Sequence, residues 1–270
     1  MAMGEVRLHP TSPSTLDVLR NGAGHLTRSF FSISGNIPTQ MKDKDMSYPF
    51  HSGGIRLPDA SRGDRKTQVG STQHFTGGGV FGDGSGVRVG TESNLEKKAL
   101  LLLSARPTTL DVVEQVAFEW YDEHGEYHTH YTDLVVTQTD ERVVGYAVRP
   151  SQRAGLKYTT KLARIKEQAI REGVVNDFRL FTEQDVCPVE LFNAQLIHGV
   201  RRPDCFADPV LQDVAGASAG VTTIGDLVDQ SGLEGMGFRA AVRLIKSGHL
   251  QMVRHERIKR SAQVFRASVI

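Results

Sequence analysis

Apolar positions change their period several times along the chain, and each change predicts an element. Residues 1–90 hold no sustained helical period and are rich in Gly, Ser, Thr and Pro. Within them "GSTQHFTGGGVFGDGSGVRVG" (70–90) alternates small, polar and apolar residues around glycines, which predicts a hairpin or ordered loop. Residues 1–50 read as a disordered tail. "ESNLEKKALLLLSA" (92–105) carries a helical stripe of Leu95, Ala99, Leu102 and Leu103, with Thr91 or Ser93 as cap and Pro107 as stop. Three strands follow: "DVVEQVAFEWYD" (111–122), "YHTHYTDLVVTQ" (127–138) and "VVGYAVRP" (143–150), separated by turns at 123–126 and 139–142. An amphipathic helix at 157–173 places Leu162, Ile165, Ala169 and Ile170 on one side. A short strand at 177–186 and a helix at 188–202 complete the run. Helix, three-stranded meander, helix, strand, helix predicts an α/β domain, a central mixed sheet flanked by helices.

A second unit begins after "PVLQDVAGASAG" (209–220), a small-residue linker or short helix. A Thr-capped helix at 222–232 is followed by a glycine turn, a helix at 235–248 and a two-stranded hairpin at 249–267. Helix, turn, helix, hairpin is the pattern of a small winged helix-turn-helix domain. The expected division is an arm (1–84), a sheet domain (85–205) and a winged-helix domain (206–270).

Composition narrows this picture little. The 39% hydrophobic and 23% charged content suits an ordinary globular protein. The longest apolar run, "ALLLL" at 99–103, is far too short to span a bilayer, so no membrane partner is expected and the protein reads as cytoplasmic. Cys187 and Cys205 form no CxxC pattern, which predicts neither a disulfide framework nor a zinc site.

Charge distribution changes the picture more than the net charge of +1. The C-terminal stretch gathers Arg239, Arg243, Lys246, Arg254, Arg257, Lys259, Arg260 and Arg266 against one acid, Glu256. Such a basic surface suits phosphate, with a solvated helix face as the plainer reading. Arg56, Arg62, Arg65 and Lys66 add a basic arm before the glycine-rich segment. On the sheet, hydrolysis of a phosphodiester by metal ions needs carboxylates to hold the cation and a positive group for the phosphate. Glu92 or Glu96 on the first helix, Asp133 in the hairpin and Arg149 at the end of the next strand supply that order. Glu92 and Glu96, four apart, are expected on one helix face. Caps and surface ion pairs would explain the same acids. His124, His128 and His130 lie near the hairpin, the last two on one strand face; they read as metal ligands or as exposed strand residues.

The order of "ESNLE", "RPTTLDVVEQV", "YTDLVV", "YAVRP", a Leu/Lys-rich helix and "FRLFTEQDV…ELFNAQLIHGVRR" resembles the TnsA-type transposon endonuclease family over roughly residues 85–267. The resemblance implies a restriction-endonuclease-like core followed by a winged-helix domain. It further implies Mg²⁺ (or Mn²⁺) as cofactor, double-stranded DNA as substrate, a partner transposase or recombinase, and a bacterial, nucleoid-associated location; a homodimer is compatible with it. Carried over by position, Glu96 takes the helix carboxylate, with Glu92 as neighbour, and Asp133 the metal-binding Asp. Ala147 stands where the family has Glu or Gln, and Arg149 where it has Lys. Ala147 brings no ligand, so the backbone carbonyl of Val148 is the remaining donor. Arg149 keeps the charge for phosphate but cannot act as a base. Two functions follow: a metal-dependent endonuclease subunit, or a non-cleaving, sequence-specific DNA-binding regulator on the same fold. In the first the winged helix would dock on DNA or on the partner recombinase; in the second "GMGFRAAVRLIKSG" would be the recognition helix, with Arg239 and Arg243 facing the groove, and Lys246, Arg257, Lys259 and Arg260 are further candidates for DNA contact.

Overall fold

The computed structural model describes residues 56–67 and 76–267. The expected tail, residues 1–50, lies outside them. A hairpin of β1 (Gly77–Phe81) and β2 (Val87–Thr91) fulfils the glycine-rich expectation within the described residues. Gly82, Gly84 and Gly86 all have positive φ in its turn, a conformation that L side chains resist. The helix α1 (Asn94–Ala105) follows, buried through Ala99, Leu100, Leu101, Leu102 and Leu103. The central sheet runs β3 (Thr109–Tyr121), β4 (Tyr127–Gln138), β5 (Val143–Val148) and β6 (Asp177–Phe181), in that spatial order. The first three are antiparallel, and β6 lies parallel to β5 after the crossover helix α2 (Leu156–Arg171). The expected mixed sheet flanked by helices is therefore present. Of the stripe expected on α2, Leu162, Ile165 and Ala169 are buried but Ile170 is exposed. Gln168 is buried instead, exchanging two hydrogen bonds with the backbone of Tyr121.

The sheet separates two apolar layers. Val112, Leu134, Val136, Val144 and Tyr146 pack with α1, together with Ala194 of α3 (Pro188–Gly199). Phe118, Trp120, Ala147 and Phe178 pack with Leu162, Ile165 and Ala169 of α2. In a regular strand, residues an even number apart face the same side. Val112 and Phe118 nevertheless lie in different layers. So do Leu134, on the α1 side, and His130, whose ring packs 6.0 Å from that of Phe178. Both β3 and β4 thus change sides along their length. The change falls at Gln115, whose φ of 50° is left-handed, and at the facing Asp133. The ladder resumes with Glu114 opposite Leu134 and Val116 opposite Thr132 on either side.

β3 is an edge strand, and residues 61–65 run along it, after Asp59 has bridged to Val87 of β2. The Asp64 N–H donates to the Gln115 carbonyl, the Asp64 carboxylate accepts from the Ala117 N–H, and Ser61 Oγ donates to Glu114 Oε1 at 2.6 Å. Arg62 makes a two-pronged ion pair with Asp111. The Gly63 position approaches the Glu114 carbonyl so closely that a Cβ there would come within 2.6 Å.

Beyond α3 the chain forms α4 (Ala207–Ala217), β7 (Val221–Thr223), α5 (Ile224–Ser231), α6 (Glu234–Lys246), β8 (Leu250–Met252) and β9 (Gln263–Arg266). The small-residue segment read as a linker or short helix is a helix, and Leu211 and Ala215 bury it against α5 and α6. The three short strands form one antiparallel sheet in the order β7-β9-β8. Thr223 caps α5 with a reciprocal Asp226 bond, and Gly232 closes it in the left-handed conformation. No helix among the described residues is long and apolar enough to cross a membrane.

Candidate functional site at the break in the sheet

The side-changing step in β3 and β4 gathers the polar groups of the sheet. Asp133 accepts from the Val148 N–H through Oδ2 at 2.7 Å and from Gln115 Nε2 through Oδ1 at 3.3 Å. Gln115 Oε1 in turn accepts from Arg65 Nε and Nη2 at 3.1 and 2.7 Å. Arg65 Nη2 also reaches Glu92 Oε2 at 2.7 Å, and the guanidinium lies 5.2 Å from the centre of the Tyr131 ring. A chain of charge-assisted hydrogen bonds therefore runs from Glu92 through Arg65 and Gln115 to Asp133.

Glu96 has a second occupation. Ser93 caps α1 by accepting from the Glu96 N–H, and the Glu96 carboxylate answers by accepting from the Glu92 N–H at 2.7 Å and Ser93 Oγ at 2.9 Å. Glu92 consequently precedes the helix, correcting the expectation that it shares a helix face with Glu96. Burial raises the Glu96 carboxyl above its usual range, against the hydrogen bonds, and the Glu92 charge adds to the rise. Asp133 is pushed up to about 7, chiefly by burial, with the charges of Glu96 and Glu92 adding and the Val148 and Gln115 bonds opposing. Glu96 and Asp133 thus lie in partly dry surroundings that disfavour their charged forms.

Ala147 is fully buried against α2. Val148, expected to offer a carbonyl, donates its N–H to Asp133. Arg149 lies at the end of β5, its Nε donating to the Arg153 carbonyl and its guanidinium 4.2 Å from the centre of the Tyr158 ring. Arg149, Arg153, Gly155, Lys157, Tyr158 and Lys161 line a shallow open depression. Burial raises the Tyr158 hydroxyl, and the Asp133 charge raises it further, so this depression adjoins the acid site electrostatically. Lys157, Lys161 and Arg164 recur at helical spacing in the sequence, the signal by which this basic face could have been found.

Gln115 was not singled out from the sequence. Its signal was the irregular alternation of β3, visible only once the two layers are known. Of the hairpin histidines, His130 is held down at about 4 by burial and the Lys161 charge. His128 pairs with Asp122 at 3.0 Å and packs on Trp120. His124 is exposed. These contacts point His128 and His130 towards the α2 layer.

The expected DNA-contacting residues divide. Arg56 and Lys66 are exposed. Arg62 and Arg65 are engaged with Asp111, Glu92 and Gln115, so they serve the edge strand and the acid site. Arg239 is exposed on α6. Arg243, expected to face the groove, is turned inward: its guanidinium holds Asp208 at 2.5 Å and the Val200 carbonyl, with 12% of its side chain exposed. Lys246 is likewise committed, donating to the Arg106 carbonyl at 2.6 Å, and burial lowers its ammonium pKa. Lys259 pairs with Glu256 and Arg260 with Asp229, while Arg257 covers the Phe192 ring. The C-terminal basic run is thus partly neutralised, by Glu256 within it and by Asp208 and Asp229 from further back in the sequence.

No protein-family model matches the chain, and comparison with curated proteins gives no significant match.

Proposed function

We propose that this is a double-stranded-DNA-binding protein of TnsA-like architecture, acting as a metal-dependent endonuclease subunit in transposition or recombination. In this reading the sheet is a restriction-endonuclease-like core and residues 206–270 are a winged helix. The observation that carries it is Asp133: a carboxyl pushed up to about 7 beside Glu96, at the point where β3 and β4 change sides. Such a group is only partly ionised at neutral pH, and a cation beside it would favour the charged form. A hard divalent ion, Mg²⁺ or Mn²⁺, would be held by Asp133 and Glu96, whose oxygens now accept the Val148, Gln115, Glu92 and Ser93 donors. A cation held there would supply Lewis-acid polarisation of a phosphodiester. Gln115 orients Asp133, Arg65 balances Glu92, and Tyr158 holds the Arg149 guanidinium flat for a phosphate oxygen. Arg153, Lys157 and Lys161 extend that positive surface along the backbone of a duplex. The basic groups left exposed on the winged helix, Arg239 foremost, meet DNA or the partner recombinase.

With Mg²⁺ or Mn²⁺ the full chain should nick supercoiled plasmid, and Asp133→Ala should lower the rate at least ~100-fold. No cleavage with either metal, alone or with a cognate recombinase, overturns the enzyme.

The second reading, a non-cleaving DNA-binding regulator, is favoured by Arg65, whose guanidinium already sits among the acids, and by the missing side chain at Ala147. Metal-independent, sequence-specific binding without nicking would decide for it.

A further inference from the structure

Cys187, Glu190 and His255 converge from two distant parts of the chain, and their ligand atoms all lie within 4.8 Å of one another. Cys187 occupies the N-cap position of α3, yet its side chain makes no capping bond. Glu190 is one turn on, in the first turn of the helix, so both project on one face. Asn193, a further turn along that face, receives the segment after β8: its Nδ2 donates to the Glu256 carbonyl at 2.9 Å and its Oδ1 accepts from the Ile258 N–H at 2.8 Å. That double bond fixes the neighbouring His255 over Cys187 and Glu190.

The distances have a particular pattern. One atom, His255 Nε2, lies 3.8 Å from Cys187 Sγ and 3.3 Å from Glu190 Oε1. An imidazole nitrogen carries one proton at most, so it cannot serve both as a hydrogen-bond donor along a straight line. Tetrahedral zinc with ordinary bond lengths sets its ligands apart by about 3.6 Å for sulfur and nitrogen and about 3.3 Å for nitrogen and oxygen. The observed pair matches the second value and comes within a few tenths of an ångström of the first. The acid group at Asp122, Glu126 and His128 is also compact. There, however, Asp122 Oδ1 accepts the N–H groups of His124 and Glu126, so the turn accounts for it.

We propose that Cys187, Glu190 and His255 form a binding site for a divalent transition-metal ion, zinc in the first place, which fastens the segment after β8 to the start of α3. A thiolate, an imidazole and a carboxylate favour zinc over magnesium, which prefers oxygen alone. The three protein ligands leave the fourth tetrahedral position to water on the exposed side. The absence of a CxxC spacing is no obstacle, because two ligands come from the start of α3 and the third from the segment after β8. This site shares no residue with Glu96 and Asp133, so it stands whether or not the protein cleaves DNA.

Cobalt(II) reports a thiolate ligand by a charge-transfer band in the near ultraviolet. Titrating the full-length apo protein with cobalt should produce that band at one equivalent, and zinc should bleach it. A large excess of Mg²⁺ should leave it intact. Cys187→Ser should remove the band. His255→Ala should weaken cobalt binding at least ~10-fold. Cys205→Ser should leave both unchanged. A protein that gives no thiolate band, a band that follows Cys205 instead of Cys187, or a band bleached by Mg²⁺ overturns the proposal.

Discussion

Asp133 is held by two donors, but burial disfavours its charged form, so its protonation contributes to how stability depends on pH. In the unfolded chain this carboxyl titrates near ~4; in the fold it is pushed up to about 7. Between those values the folded state binds the extra proton. The contribution is therefore fully present below the unfolded value and lost as pH rises through the folded one. In thermal unfolding with a chelator present, the Asp133 contribution should fall from pH 5 to pH 8 by on the order of 2–4 kcal/mol, opposed over the same range by His130, whose neutral form the fold favours. Asp133→Asn should remove that contribution, so that stability rises more steeply with pH in the variant than in the parent protein, and Mg²⁺ should reduce the contribution in the parent. A profile unchanged by the substitution would show that Asp133 is not the titrating group. At this scale the sequence revealed the acids and Arg149 but not their partners. Glu96 and Asp133 stand in a readable order along the chain, whereas Arg65 and Gln115 join them only through folding, across sequence separations of 50 and 18 residues.

At the scale of elements, the predicted order of strands and helices in the sheet region matches the fold, because period-2 and period-3.6 patterns report burial directly. The side change in β3 and β4 was not legible. A strand that serves two layers in turn reads as merely irregular, and the left-handed Gln115 has no sequence signature of the kind glycine would give. Helix α6 makes the same point about charge. Its period shows Ala240, Ala241 and Leu244 facing the core, but the sequence cannot show that Asp208, on α4, claims Arg243. Arg243→Ala should cost about 2–4 kcal/mol in urea denaturation, because it leaves the partly buried Asp208 without its cation. Arg239→Ala should change stability by less than about 0.5 kcal/mol and, on the proposed function, weaken duplex binding at low salt. Equal stability losses at the two positions would refute this division between structural and surface arginines.

In the whole molecule, the C-terminal unit is tied to the sheet region by specific polar bonds as well as apolar contact. Lys246 reaches from the end of α6 to the carbonyls of Arg106 and Thr109, just past the end of α1. The cation thus meets the negative end of the helix dipole. Asn193 makes the second tie. Lys246→Met keeps the stem and removes these bonds. It should cost about 1 kcal/mol and speed protease cleavage between α3 and α4, at residues 200–206. Cleavage there at the unaltered rate would mean that Lys246 is not an anchor.

Residues 61–65 lie along the outer edge of β3, where Asp64 takes up the Gln115 carbonyl and the Ala117 N–H that a neighbouring strand would otherwise bond. A sheet edge without such cover is a template for strands from other molecules. Removing the segment would therefore expose such a template, as well as remove Arg65. A chain shortened to begin at residue 68 should self-associate in a concentration-dependent way, seen as a shift to larger species in light scattering. Adding back a peptide spanning residues 56–67 should reverse the shift, which ordinary hydrophobic aggregation would not allow.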